Sequence, residues 1–186
     1  MRTFIAIDIS DEVKKELSRL LGELKTVGAD IKWVQPENIH LTLKFLGDTE
    51  DNRIEQIKKV LNEISKGLDS FKLSLFKLGC FPSIDYPRVI WVGIDKGCSQ
   101  AEQISADIEE KLEVLGFLKE TRPFTSHLTL GRVKSGKNKK ELKEKILSLE
   151  PLSKSCAAKG ITLFQSELTT RGPIYTPIHL AKFKNI

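Results

Sequence analysis

A histidine and a threonine two positions apart occur twice, in His40-Leu41-Thr42-Leu43 and in His127-Leu128-Thr129-Leu130. Side chains alternate between the faces of a strand, so in each phrase the histidine and threonine point one way and the two leucines the other. The leucines suit a core, and the imidazole and hydroxyl suit an accessible face. The unperturbed imidazole pKa of about 6.5 lets one ring act as a neutral base while a second, protonated ring acts as an acid at the same pH. Two such rings fit phosphodiester cleavage. One takes a proton from the attacking water or hydroxyl and the other gives one to the leaving oxygen, each step being worth about 10² to 10⁴ in rate. The threonine hydroxyls can donate to non-bridging phosphate oxygens as charge develops. This chemistry needs no metal. A single His-x-Thr is the pattern of any half-exposed strand; the second copy at a matching place makes the pair a candidate site.

The elements that must hold these phrases follow in order. Phe4-Ile5-Ala6-Ile7-Asp8-Ile9 reads as a buried strand, and Ser10-Asp11 caps a helix with Val13, Leu17, Leu20 and Leu24 on one face, ended at Gly28. Ile31-Lys32-Trp33-Val34 is a short strand, Gln35-Pro36-Glu37-Asn38 a turn, and the first phrase a strand closed by Gly47-Asp48. A second helix buries Ile54, Ile57, Leu61 and Ile64; Phe71–Leu75 alternates as a strand and Gly79–Pro82 reads as loop. The second half runs in parallel. Val89–Asp95 resembles the opening strand, Ser99-x-x-Glu102 forms a capping box before Ile104, Ile108, Leu112 and Leu115, and Gly116 is the stop. The second phrase, a basic loop, a helix through Leu142, Ile146 and Leu149 ended by Pro151, and a strand at Ile161–Phe164 complete it.

The same 87 positions separate Asp8 from Asp95 and His40 from His127. An offset shared by separate elements indicates a duplicated unit. The expected architecture is α+β, with two pseudo-twofold-related βαβαβ-like lobes whose antiparallel sheets form a central cleft. The expected domain is single and bilobal, with halves at about 1–87 and 88–186 and exchange of strands between lobes left open. Under that symmetry the two histidine phrases are equivalent positions, and they face each other only if the lobes pack along those strands.

At 186 residues, 40% apolar and 30% charged, the chain can bury a sizeable core. No apolar run is long enough to span a bilayer, and the opening residues become acidic at Asp8, too soon for a secretory leader. A cytoplasmic protein without membrane attachment is expected. Cys80, Cys98 and Cys156 are odd in number and widely spaced, which fits neither a disulfide framework nor a zinc site. A net charge of +5 suits a polyanionic partner and equally a solvated lysine-rich surface.

Three segments carry a resemblance over essentially the full chain: Ile31-Lys32-Trp33-Val34-x-Pro36-Glu37-Asn38-x-His40-Leu41-Thr42-Leu43-Lys44-Phe45-Leu46-Gly47, Phe124-x-x-His127-Leu128-Thr129-Leu130-Gly131-Arg132-Val133-Lys134, and Gly172-Pro173-Ile174-Tyr175. They resemble the RNA 2',3'-cyclic phosphodiesterases, also called 2'-5' RNA ligases, of the two-histidine phosphoesterase superfamily. The resemblance implies a two-lobed α+β fold with a central cleft. It also implies hydrolysis of a terminal RNA 2',3'-cyclic phosphate to a 2'-phosphate, with reversible 2'-5' joining of ends in some members. It implies no nucleotide cofactor and no metal, and as partner an RNA with a 2',3'-cyclic phosphate or 2'-5'-linked end; a monomer is expected. By carry-over His40 is the proton donor to the leaving 3' oxygen and His127 the base on water, although the near-symmetry leaves the two roles interchangeable. The family usually has proline directly before the second histidine, where this chain has Ser126.

Around the histidines, Thr42 and Thr129 are expected to bind substrate. Lys44 shares strand parity with His40 and Thr42 and is expected to reach an anion at the far end of the site. Phe45 has the parity of the leucines and reads as core. Arg132 would need a bulge or strand end to turn it toward phosphate, and the resemblance retains it as substrate-binding. Tyr86 and Arg122 read as surface or cleft rim, and His179 as structural. Two other classes of function stay open: a module that grips RNA ends without cleaving them, and a phosphodiesterase acting on another cyclic or 2'-5'-linked nucleotide. Paired histidines favour catalysis, because binding alone prefers arginine and lysine. Gly131-x-x-x-x-Gly136-Lys137 matches most of a phosphate-binding P-loop, but Asn138 stands where that motif needs serine or threonine.

Overall fold

The computed structural model describes residues 1–150, 152–170 and 172–185. The chain runs β1 (Arg2–Ile7), α1 (Asp11–Lys25), β2 (Ile31–Trp33), a 3-10 turn at Pro36–Asn38, β3 (Leu41–Asp48), α2 (Asp51–Lys66), β4 (Phe71–Pro82) and β5 (Pro87–Ile94). It continues through α3 (Cys98–Val114), β6 (His127–Val133), α4 (Lys139–Ser148), β7 (Ser155–Ala158), β8 (Gly160–Thr169) and β9 (Gly172–Lys182). Ser10 caps α1 as its type predicts, its hydroxyl accepting the Val13 N–H at 3.4 Å. Two local expectations fail. The Gly79–Pro82 segment is strand, because β4 pairs with β5 as far as Pro82 opposite Pro87. Ser99 caps nothing: Gly97, at φ 86°, is the N-cap of α3, and its left-handed backbone does the turning. The Pro151 stop expected for the fourth helix lies outside the described residues.

The strands pair in the order β7-β4-β5-β6-β3-β1-β8-β9, with β2 also on β6. Their register is antiparallel throughout the named pairs. This is the expected two-lobed α+β architecture. β4, early in the sequence, pairs with β5, and β8, late in the sequence, pairs with β1. The helices lie against one face, where Leu17, Leu61, Ile108 and Ile146 pack with Ile5, Leu41, Val92 and Leu128. Leu41 and Leu128 are fully buried, and truncating either to alanine costs about 2–5 kcal/mol. The opposite face carries Phe4, Ala6 and Phe164, with Tyr175 against them. Among the described residues no helix is long and apolar enough to cross a membrane.

Strict alternation breaks just after each histidine phrase. Thr42 pairs with Ala6 while Lys44 pairs with Ile5, so Leu43 is the extra residue of a bulge in β3. Thr129 pairs with Trp91 while Gly131 pairs with Ile90, so Leu130 is the extra residue in β6. The two bulged leucines are 87 positions apart, the spacing of the histidines themselves. Beyond each bulge the faces are inverted, which corrects two expectations. Lys44 turns into the helix side, where it is buried, and Phe45 turns out onto the helix-free face, where it is 59% exposed.

Buried Lys44 places its Nζ 2.5 Å from Glu109 Oε2 on α3 and donates to the Leu118 carbonyl at 2.8 Å. Removing one partner of a buried pair leaves an uncompensated charge. Glu109→Ala is therefore expected to lower the unfolding free energy by about 3 kcal/mol, and the double substitution Lys44→Met with Glu109→Leu to recover most of it. Denaturant unfolding reads both, and a Glu109→Ala midpoint equal to the parent's would contradict this pairing.

Candidate active site

β3 and β6 touch at one register pair, Leu41 opposite Leu128. With the leucines turned to the core, antiparallel register sets His40 beside Thr129 and His127 beside Thr42 on the helix-free face. Directly opposed side chains on such a pair have Cβ atoms about 4.5–5.5 Å apart and diagonal ones about 7–8 Å. The two imidazoles are thus diagonal neighbours, each facing a threonine hydroxyl. Among the described residues nothing is hydrogen-bonded to the Thr42 or Thr129 hydroxyl, and both remain available to a ligand.

Each ring rests on an aromatic floor. His40 stacks on Phe4 at 4.7 Å between centroids, with Phe164 at 5.9 Å and the edge of Tyr175 at 5.4 Å. His127 meets Phe81 edge-on at 5.1 Å and Trp91 at 6.4 Å. Phe4 and Trp91 are themselves 87 positions apart. The His127 ring is also held by backbone, its Nδ1 2.7 Å from the Thr125 carbonyl. A carbonyl only accepts, so His127 Nδ1 carries the proton and Nε2 keeps its lone pair for the cleft. The Asn38 side-chain amide donates to the Pro173 carbonyl at 3.0 Å, tying the Pro36–Asn38 turn to the β9 segment that bears Tyr175.

Burial drives both imidazoles toward the neutral form. His40 falls to about 4, with the Lys14 charge as a further, smaller cause and the Asn38 carbonyl opposing it. His127 is lowered too, by burial first and also by Arg132, with the Thr125 carbonyl opposing. Arg132 lies opposite Val89 beyond the β6 bulge and makes no ion pair among the described residues. Its charge acts on both His127 and Tyr175. Burial pushes the Tyr175 phenol up.

Of the predicted site residues, His40, Thr42, His127 and Thr129 come together and Arg132 joins them through the bulge, whereas Lys44 is held out of the cleft by Glu109. Phe45, read as core from its parity, lies on the cleft face 6.1 Å from Phe4. Tyr86 and Arg122 are exposed, and His179 is half-buried on β9 with its Nε2 2.9 Å from Asn62 Oδ1. The P-loop spacing dissolves: Gly131 is a strand residue, and a Cβ there would stand 2.7 Å from Ile31 Cγ2 and 2.8 Å from the Trp33 ring. Residues missed from sequence are Phe4, Phe81, Trp91, Phe164, Asn38 and Tyr175. Among the described residues no group of three or more His, Cys, Asp or Glu side chains is placed to hold a metal ion.

The LigT-like phosphoesterase family model matches residues 7–91 and, a second time, residues 92–175. The chain belongs to the LigT-like phosphoesterase family. It is 41% identical over 179 residues to an RNA 2',3'-cyclic phosphodiesterase of Methanocaldococcus jannaschii, covering 96% of this chain and 98% of that one. It is 34% identical over 184 residues to the protein of that name in Thermotoga maritima, covering 99% and 96%. In fold it is similar to the protein TT0787 of Thermus thermophilus, with a TM-score of 0.82 at 22% identity over 100% of both chains. A similar match is found to Escherichia coli LigT complexed with 3'-AMP, with a TM-score of 0.81 at 23% identity over 99% and 98%. The two family matches each contain one histidine phrase.

Native His40 stays neutral down to about 4, whereas the unfolded imidazole takes up its proton near 6.5, so between these values the unfolded chain binds more protons. Stability is accordingly expected to fall as pH drops through that window. An NMR titration of the free protein should give a His40 midpoint of about 4 and a His127 midpoint below 6.5. A His40 midpoint at or above 6.5 would contradict the buried floor.

Proposed function

We propose that the chain opens the terminal 2',3'-cyclic phosphate of RNA to leave a 2'-phosphate, with reversible joining of ends through a 2'-5' linkage when a 5'-hydroxyl attacks in place of water. The observation that carries this reading is the pair of aromatic-floored imidazoles beside two threonine hydroxyls without a hydrogen-bond partner among the described residues, where β3 meets β6. Water attacks phosphorus as one imidazole takes its proton. The P–O3' bond breaks as the other imidazole gives a proton to O3', and the products are a 2'-phosphomonoester and a free 3'-hydroxyl. Thr42, Thr129 and Arg132 take the non-bridging oxygens, where charge-assisted donors are worth most. The two rings supply both proton transfers, so the mechanism asks nothing of a metal or nucleotide cofactor.

In this reaction His127 is the base and His40 the acid. Arg132 beside His127 holds that ring neutral even as the phosphate arrives, as a base requires. The position 87 residues earlier is Phe45, so on the His40 side only the more weakly acting Lys14 charge opposes protonation. There the approaching phosphate anion favours the protonated ring. Phe45 offers the terminal base an exposed aromatic surface, and such stacking is worth about 1–3 kcal/mol.

We further infer one bilobal domain, working as a monomer, built by duplication of about 1–87 and 88–186 and exchange of β4 and β8. The common offset of histidines and bulges supports this, as does the family's double match. A cytoplasmic setting is proposed as well, and is in keeping with the free thiols at Cys80, Cys98 and Cys156.

The test uses an RNA oligomer ending in a 2',3'-cyclic phosphate, with chelator present. The parent should yield the 2'-phosphate with a bell-shaped pH profile, and His40→Ala and His127→Ala should each lose about 10² to 10⁴ in turnover while still binding the RNA. A 3'-phosphate product, or undiminished hydrolysis in either variant, would refute the mechanism.

A further inference from the structure

The excess positive charge of the chain is concentrated in one stretch. Between Arg132 and Lys145 there are seven Lys and Arg (Arg132, Lys134, Lys137, Lys139, Lys140, Lys143, Lys145) against Glu141 and Glu144, a net +5 that equals the net charge of the whole protein. The stretch 87 positions earlier, Phe45 to Lys58, has Arg53 and Lys58 against Asp48, Glu50, Asp51 and Glu55, a net −2. The cleft therefore has a basic exit on the β6 side and an acidic one on the β3 side. Duplication does not require that difference.

Two routes lead from the cleft to the basic stretch. One follows β6 from Thr129 past Arg132 to Lys134, Lys137 and the start of α4. The other follows the β4–β5 hairpin from Phe81, which packs on His127, to Tyr86 at its tip. They converge where Lys139 Nζ sits 4.4 Å above the Tyr86 ring. Tyr86 is 71% exposed, beside an open hollow of about 470 Å³ lined by Asp85, Tyr86, Lys139, Lys140 and Lys143. Lys143 is paired with Asp85 at 2.6 Å and Lys145 with Glu23 at 3.4 Å. Lys134 and Lys137 have no acidic partner among the described residues. Free lysines tracking away from an aromatic ring are the elements of a groove for single-stranded nucleic acid, the charges meeting phosphates and the ring stacking a base.

We propose that the body of the RNA, upstream of the cyclic phosphate, leaves the cleft over this face and is held by Lys134, Lys137, Lys139 and Tyr86. The inference rests on the phosphodiesterase reading for its choice of RNA, and it deepens that reading by fixing which way the strand runs. A mononucleotide cannot use the face: five residues of strand separate Thr129 from Lys134, about 17 Å at about 3.3 Å each.

The experiment compares the parent with the triple variant Lys134→Glu, Lys137→Glu, Lys139→Glu. A control triple variant, Lys58→Glu, Lys59→Glu, Lys66→Glu on α2, makes the same change in net charge. Fluorescence anisotropy measures binding of a 20-nucleotide RNA with a 2',3'-cyclic phosphate end over a range of salt, in proteins that also carry His127→Ala to prevent turnover. Steady-state kinetics on 2',3'-cyclic AMP are measured without that change. The β6–α4 variant should weaken oligomer binding about tenfold or more and flatten the salt slope by about 2, with kinetics on the mononucleotide unchanged. Equal affinity and slope in parent and β6–α4 variant, or an equal loss in the control, would overturn the docking face. The phosphodiesterase reading fails separately, if the parent does not open the cyclic phosphate.

Discussion

The β3 and β6 strands are joined at a single register pair, Leu41 against Leu128, and the placement of both histidines and both threonines follows from it. Both leucines are fully buried beneath the helices, so the faces of β3 and β6 are fixed by the cost of exposing them. A slip of one residue in either strand would put a leucine in the cleft and an imidazole in the core. The hydrophobic layer thereby enforces the placement of the polar one. The histidines need no direct contact with each other to be held in register.

The bulges after Leu41 and Leu128 do different work in the two lobes although they occur at equivalent places. In β6 the bulge buries Gly131 under Trp33 and turns Arg132 outward; in β3 it buries Lys44 against Glu109 and turns Phe45 outward. A cleft that is symmetric in its histidines thus becomes asymmetric in what flanks them, with a guanidinium on one side and an aromatic ring on the other. A substrate with a charged phosphate and an apolar base is asymmetric in the same sense. The difference in charge between the two exits extends this polarity beyond the cleft.

Much of this is legible in the sequence, because alternation and repeat are strong signals. The leucine and histidine faces, the order of helices and strands, the offset of 87 and the family all follow from residues read in order. The two misplaced residues of the site have one physical cause. A bulge inserts a residue without any mark in the hydrophobic pattern, so strict alternation puts Lys44 in the cleft and Phe45 in the core when each is on the other side. The aromatic floor is hidden for a related reason: Phe4-Ile5-Ala6-Ile7 is apolar on both faces, and only the pairing of β1 with β3 and β8 reveals that Phe4 lies under His40. Tyr175, 135 residues from His40, is brought against that ring by the β8–β9 pairing and the bond from Asn38 to Pro173, neither of which is marked in the sequence.

Burial of the histidines on aromatic floors sets the electrostatic terms of the site. It leaves both imidazoles neutral before substrate arrives, so the proton needed on one ring must be stabilised by the phosphate itself. The most direct test is a crystal structure of the protein with the product nucleotide 2'-AMP. Nε2 of His40 and Nε2 of His127 should both lie within about 3.2 Å of oxygens of the same phosphate. A phosphate touching only one of the two rings, or bound on another surface, would contradict a shared site.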